Sequence, residues 1–187
     1  MSKKIVATLA ILLGVCIFLM VWYIFPYAQN AKYHFTLQGD NKTIKLSDFY
    51  DKNLLIYFGY VSCPDVCPTT LYTIKESFSH LEQEEKDKLQ VLFVSVDHER
   101  DKPQDIQEYA SFFVKNALGA TASQEEFDKL SEPYRLYFVK EESDSAMNYL
   151  ISHTSYVYFF QTRNRFYKRI SSSETATNYL QTIREML

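Results

Sequence analysis

Basic residues are in short supply in this sequence. Its 20 Lys and Arg stand against 23 Asp and Glu. Two of the 20, Lys3 and Lys4, precede the first apolar segment, so the rest of the chain has 18 basic against 23 acidic residues and a charge of about −5. With no basic patch to neutralise a phosphate backbone, nucleic acid is excluded as a partner. Cysteine is scarce too, at three residues in 187, and an apolar domain of this size needs no disulfide staple. Internal repeats and low-complexity tracts are absent, and no stretch offers a second independent core. The length fits one core-forming domain plus an accessory segment.

Charge is also missing from residues 5–25, IVATLAILLGVCIFLMVWYIF. About 21 residues at 1.5 Å each cross a bilayer core of roughly 30 Å, which predicts a transmembrane helix. Lys3 and Lys4 keep its first end cytoplasmic, and Trp22, Tyr23 and Tyr27 suit the far interface, so the bulk of the chain faces outward. A cleaved signal peptide would have a shorter apolar run followed by small residues, and Pro26-Tyr27-Ala28-Gln29-Asn30-Ala31 fits that poorly. Cys16 lacks the small residue before it that a lipid-modified cysteine would have, so it reads as an inert thiol within the span. The expected division is an anchor over residues 1–28 and a folded domain over 29–187.

Within that domain, residues 33–37 and the polar turn Gln38-Gly39-Asp40-Asn41 read as a leading hairpin. The run Asn53-Leu54-Leu55-Ile56-Tyr57-Phe58-Gly59-Tyr60 has the apolar continuity of a strand covered on both faces. After Pro68, the helical spacing of Leu71, Ile74, Phe78 and Leu81 predicts an amphipathic helix to about Glu85. A second buried strand follows over residues 91–96. Asp101 and Pro103 start a helix with Ile106, Tyr109, Ala110 and Phe113 inward. Ser123 with Glu126 caps a shorter helix carrying Phe127 and Leu130, and Ser171 with Glu174 opens the last one, with Tyr179, Leu180, Ile183 and Leu187. Between these two, residues 155–160 and 165–168 form a hairpin around Gln161-Thr162-Arg163-Asn164. The order of elements is that of an α/β sandwich with a mixed central sheet, and the thioredoxin-like plan fits it best.

Chemistry concentrates in Cys63-Pro64-Asp65-Val66-Cys67-Pro68, between a buried strand and a helix. Pro68 suits the first helical position, which would make Cys67 the N-cap, where the helix dipole favours a thiolate. The three residues between the cysteines leave the state of the pair open. A disulfide brings sulfurs to about 2.05 Å, whereas two thiolates on one metal sit roughly 4 Å apart. A reversible disulfide, a metal clip and a switch between them are all permitted. A plain structural disulfide is the bland alternative, but so short a loop gains little from closure.

The segment Phe58-Gly59-Tyr60-Val61-Ser62-Cys63-Pro64-Asp65-Val66-Cys67-Pro68 resembles the signature of the SCO/SenC family of copper-binding assembly factors for cytochrome c oxidase. Two further blocks are similar to that family: Val94-Ser95-Val96-Asp97-His98-Glu99-Arg100-Asp101-Lys102-Pro103, and His153-Thr154-Ser155 leading into Tyr158-Phe159. The resemblance implies a membrane-anchored, thioredoxin-like copper metallochaperone with Cys63, Cys67 and His153 as its metal ligands. It further implies a place in the bacterial inner membrane, facing the periplasm, or in the mitochondrial intermembrane space. The absence of an Arg-rich transit segment favours the bacterial reading. The implied client is the binuclear copper site of oxidase subunit II, which the protein would supply with copper or reduce. Ser152 stands where the family usually has an aspartate, Ser62 replaces a common histidine, His98 a common proline, and the turn at 161–164 lacks the usual glycine.

Two thiolates and an imidazole suit Cu(I), while structural zinc wants a fourth ligand. His34, His80 and His98 read as ordinary histidines, and Asp65 as a loop hydrogen-bonder. Asp97, Arg100 and Asp101 suit a loop-supporting or partner-docking ion network, although a helix cap at Asp101 explains part of the pattern. The competing function is thiol-disulfide exchange, with Cys63 or Cys67 attacking a client disulfide. A peroxidase would want a Thr-x-x-Cys arrangement that is absent.

Overall fold

The computed structural model describes residues 3–142 and 149–187, with backbone only at residues 3, 5–10 and 23–29. It divides into two units, residues 1–32 and 33–187. The first unit is one helix, α1 (Lys3–Ala31). Its described side chains from Ile11 to Trp22, Cys16 among them, are all exposed. Among the described residues no helix is long and apolar enough to cross a membrane. The side chains of Lys3, Tyr23 and Tyr27, expected at the boundaries of a span, lie outside the described residues.

The second unit opens with the hairpin β1 (Thr36–Gly39) and β2 (Lys42–Lys45), turning at Asp40 and Asn41. The expected buried strand is β3 (Asn53–Gly59), in which every residue is buried. Helix α2 (Val66–Ser79) and a single turn, α3 (Gln83–Lys86), lead to β4 (Leu89–Ser95), which runs parallel to β3. A parallel pair needs such a crossover. Helix α4 (Pro103–Phe113), β5 (Leu118–Thr121) and α5 (Gln124–Tyr134) follow. Then come β6 (Phe138–Glu142) and β7 (Tyr149–His153), β8 (Tyr156–Gln161) and β9 (Arg165–Ser171), and α6 (Ala176–Met186).

Seven strands form one mixed sheet in the order β2-β1-β5-β4-β3-β8-β9, and β6 and β7 form a separate two-stranded sheet. This is the α/β architecture with a mixed central sheet that the sequence led us to expect. Alternation along β3 divides the core: Tyr57 faces Phe93 and Cys67, while Phe58 packs edge-on against Tyr134 of α5 and Tyr158 of β8. On the Tyr57 side, α2 packs against both α4 and α6. Helix α4 lies so close to β5 that a Cβ on Gly119 would come within 2.5 Å of the Ile106 backbone.

Several boundaries differ from expectation. Helix α2 starts at Val66 with Asp65 as N-cap, so Cys67 is not the cap, and it stops at His80 instead of continuing to Glu85. The amide of Thr69 donates to the Asp65 carbonyl, which pulls the helix start back ahead of Pro68. Helix α4 is capped by Lys102, leaving Asp101 free for another role. Thr175, and not Ser171, caps α6 by accepting the Asn178 amide at 3.3 Å. Ser123 caps α5 as expected, but Glu126 turns away to accept the Thr36 amide at 2.7 Å. The glycine-free turn of the last hairpin holds Arg163 and Asn164 at φ of 63° and 55°, a left-handed geometry that Asn tolerates better than Arg.

Candidate metal centre

The loop 60–65 leaves the C-terminal end of β3 and hands the chain to α2, and it places the two cysteines differently. Cys67 lies in the first helical turn with its sulfur turned inward, and it is fully buried. Only a glycine at 59 allows this, because a Cβ there would sit 2.7 Å from the Cys67 sulfur. Cys63 precedes the N-cap and is half-buried. Its sulfur accepts the Cys67 amide at 3.4 Å, and the Asp65 amide also points to it. Cys63, not Cys67, thus occupies the anion-favouring mouth of the helix.

Among the described residues all cysteines are free thiols. The Cys67 thiol donates to Cys63, and with the His153 contact and the two amides this holds the Cys63 thiol far below its usual range, to about 4. The same hydrogen bond, together with burial and the neighbouring negative charge, pushes Cys67 up. The pair therefore carries one negative charge, on Cys63, and one proton, on Cys67, reversing the assignment expected from a Cys67 cap.

A depressed pKa means that the Cys63 thiolate persists as pH falls and is lost only on passing through about 4. Iodoacetamide should accordingly label the reduced chain at Cys63 at a nearly constant rate from about pH 8 to pH 5, as peptide mass spectrometry would report. A rate that drops about tenfold per unit below pH 8 would mark an ordinary thiol and overturn the assignment.

His153 arrives at the end of β7. Its Nε2 is 3.8 Å from the Cys67 sulfur, and its Nδ1 lies 3.0 Å from the Thr154 carbonyl oxygen. The Nδ1 contact fixes the ring so that Nε2 faces the sulfurs. Ser152, the residue before His153, points elsewhere and donates to Glu141.

Tyr60, which the sequence offered only as the end of a strand, joins the parts. Its hydroxyl accepts the Ile151 amide at 3.3 Å and contacts the Cys63 sulfur, and its ring meets the His153 ring edge-on at 6.0 Å. Burial, and then the Cys63 charge, push its phenol up to about 12. Tyr57, also raised by burial, bonds Ser155 at 3.2 Å beneath the site. The crevice beside Cys63 measures about 320 Å³ and is bordered by Cys63, Asp65, Glu141 and His153.

The other expected ligands and bystanders fall as follows. His80 ends α2, away from the cysteines, His34 is exposed, and His98 packs against Phe127. Asp65 accepts from Thr69 at 3.4 Å within the loop. Asp97 and Arg100 form an ion pair. Asp101 accepts the Val61 amide at 2.8 Å and the Ser95 hydroxyl, which makes the network loop-supporting.

Among the described residues no three His, Cys, Asp or Glu side chains stand as a formed metal cluster, so fit is judged on the pair distance and the donor chemistry. For a three-coordinate ion with bonds of about 2.3 Å to sulfur and 2.05 Å to nitrogen, a 120° angle puts the two donors ~3.8 Å apart. The Cys67–His153 distance of 3.8 Å matches that separation. Two sulfurs and one imidazole form a soft donor set.

The chain is similar to known proteins over most of its length. A family model described as SCO1/SenC matches residues 26–187. An SCO2-like protein of Rickettsia conorii is 32% identical over 146 residues, covering 76% of this chain and 71% of that protein. The mitochondrial SCO1 homolog 1 of Arabidopsis thaliana is 30% identical over 132 residues, which cover 71% of this chain but only 39% of that longer protein. Among solved structures, ScoI of Bradyrhizobium japonicum with copper bound superposes with a TM-score of 0.72 at 31% identity, covering 82% of this chain and 98% of that one.

Proposed function

This chain belongs to the SCO1/SenC family, and on that premise we propose that it is a copper metallochaperone that holds one copper ion between Cys63, Cys67 and His153. The observation that carries the reading is the convergence of His153 Nε2 on the Cys67 sulfur at 3.8 Å, across 86 residues of sequence. Copper bound to the Bradyrhizobium japonicum relative supports the choice of ion, as does the softness of the donors. Copper is cargo here. The half-exposed Cys63 thiolate meets it first in the crevice, His153 closes over it, and the buried Cys67 gives up its proton as the third bond forms.

The client is the binuclear copper site of cytochrome c oxidase subunit II, or another copper protein. Residues 1–28 anchor the chain in the bacterial inner membrane. Their uncharged run over residues 5–25 supports this, and residues 29–187 then work in the periplasm.

His153→Ala in the full chain, reduced and loaded with copper in detergent, tests the ligand set. The wild type should retain about one copper per chain against a Cu(I) chelator, and the variant should lose it at roughly tenfold lower chelator concentration or less. Undiminished retention would refute the three-ligand site. The Cys63 thiolate also supports a second reading, thiol-disulfide exchange with a client. In that case, reduction of a client disulfide would survive His153→Ala.

A further inference from the structure

His153 is delivered by a hairpin that stands outside the main sheet. Among the described residues β6 and β7 pair with each other and not with the seven-stranded sheet, and an isolated two-stranded hairpin is marginal in water. Something must hold it over the sulfurs. The structure shows a compact grip at Tyr149, the first residue of β7. The Arg100 guanidinium lies 3.6 Å from the centroid of the Tyr149 ring and donates from Nη1 to the Tyr149 carbonyl at 3.0 Å. The Tyr149 hydroxyl donates to Asp97 Oδ1 at 2.7 Å, while Asp97 Oδ2 pairs with Arg100 Nε. The Asp97 side chain is wholly buried and its Arg100 partner only partly exposed, so water competes with the pair from one side only.

The turn that supplies the grip also holds the cysteine loop. Amides of Arg100 and Asp101 donate to the Asp97 carbonyl at 3.2 and 2.9 Å, which closes the turn. Asp101 at its other end takes the Val61 amide, two residues before Cys63. One rigid turn thereby grasps the sulfur side of the site through Asp101 and the imidazole side through Asp97 and Arg100. Outside it, the Tyr60 hydroxyl takes the Ile151 amide and Phe138 packs edge-on against Phe127, while Lys140 on β6 pairs with Glu99, both about half exposed to solvent, where such pairs hold little.

We propose that the Asp97–Arg100–Tyr149 clamp is the positioning device for His153, setting the distance between imidazole and sulfurs and, when released, letting the hairpin lift and uncover the bound ion. The proposal rests on the reading of His153 as a ligand. Tyr149, Arg100 and Asp97 are positioning residues and touch no metal.

The test compares Tyr149→Phe, which removes only the hydroxyl, and Tyr149→Ala, which also removes the stacked ring, with wild-type full chain. In the reduced, copper-free protein, amide exchange over residues 149–155 should accelerate roughly tenfold in Tyr149→Ala and less in Tyr149→Phe, with residues 54–59 unchanged. After addition of one equivalent of copper(II) chloride, imidazole nitrogen coupling in the electron paramagnetic resonance spectrum should weaken in Tyr149→Ala. Unchanged exchange over 149–155, equal acceleration everywhere, or unchanged nitrogen coupling would each overturn the clamp. His153→Ala separates the two ideas: if nitrogen coupling persists there, the ligand reading itself fails, whatever the hairpin does.

Discussion

Gly59→Ala is expected to destabilise the folded chain by about 1–3 kcal/mol and to disable the site in the same stroke. Gly59 ends β3, the central strand, with Cys67 directly above it. A Cβ there would meet the Cys67 sulfur at 2.7 Å and the Phe93 ring at 2.9 Å, both closer than real carbon contacts allow. Phe93 is fully buried between Tyr57 and Tyr109 and has nowhere to go. The sulfur must therefore give way, which disturbs the hydrogen bond that keeps Cys63 ionised. Two measurements check this. Urea unfolding should show a lower midpoint at an unchanged slope, and iodoacetamide should reach both thiols at neutral pH. A variant of wild-type stability that is labelled at Cys63 alone would show that the site tolerates the methyl group.

The sequence announces some of this structure and conceals the rest, for physical reasons. Strand β3 was legible because seven consecutive positions carry no charge and all are buried. Strand β5 was not, because Leu-Gly-Ala-Thr has neither length nor alternation; pairing with β4 and β1 makes it a strand. The hairpin of β6 and β7 was missed altogether, since Phe138-Val139-Lys140-Glu141-Glu142 is mostly exposed and its partner strand supplies its order.

At the site, the cysteine pair was legible from its spacing after a strand, but the charge was assigned to the wrong sulfur. Pro68 fits a first helical position, yet the helix begins two residues earlier and turns Cys67 into the core. His153 has no local signal at all. Only resemblance singled it out, because what brings it to Cys67 is the long-range docking of a hairpin that the sequence pattern did not reveal.

That docking explains why a buried carboxylate, and not a fourth ligand, is the next most sensitive position. Asp101→Ala is expected to cost about 3 kcal/mol or more, because it strips the acceptor from two donors, each worth about 1.5–3 kcal/mol when bonded to a charged group. One donor is the Val61 amide at 2.8 Å and the other the Ser95 hydroxyl, which is fully buried at the end of β4. Burial also raises the Asp101 carboxyl, partly offset by these same two bonds, so their removal has no compensating contact. For a unit of this size that loss corresponds to a fall in Tm of roughly 6–12 °C, readable by circular dichroism. Asp101→Asn, which keeps one acceptor oxygen, should fall between wild type and alanine. The loop 60–65 loses its tether in the alanine variant, so Cys63 labelling near pH 5 should slow as the amides at the helix mouth drift from its sulfur. If Asp101→Ala melts with the wild type, the turn from Asp97 to Asp101 is not what holds the cysteine loop.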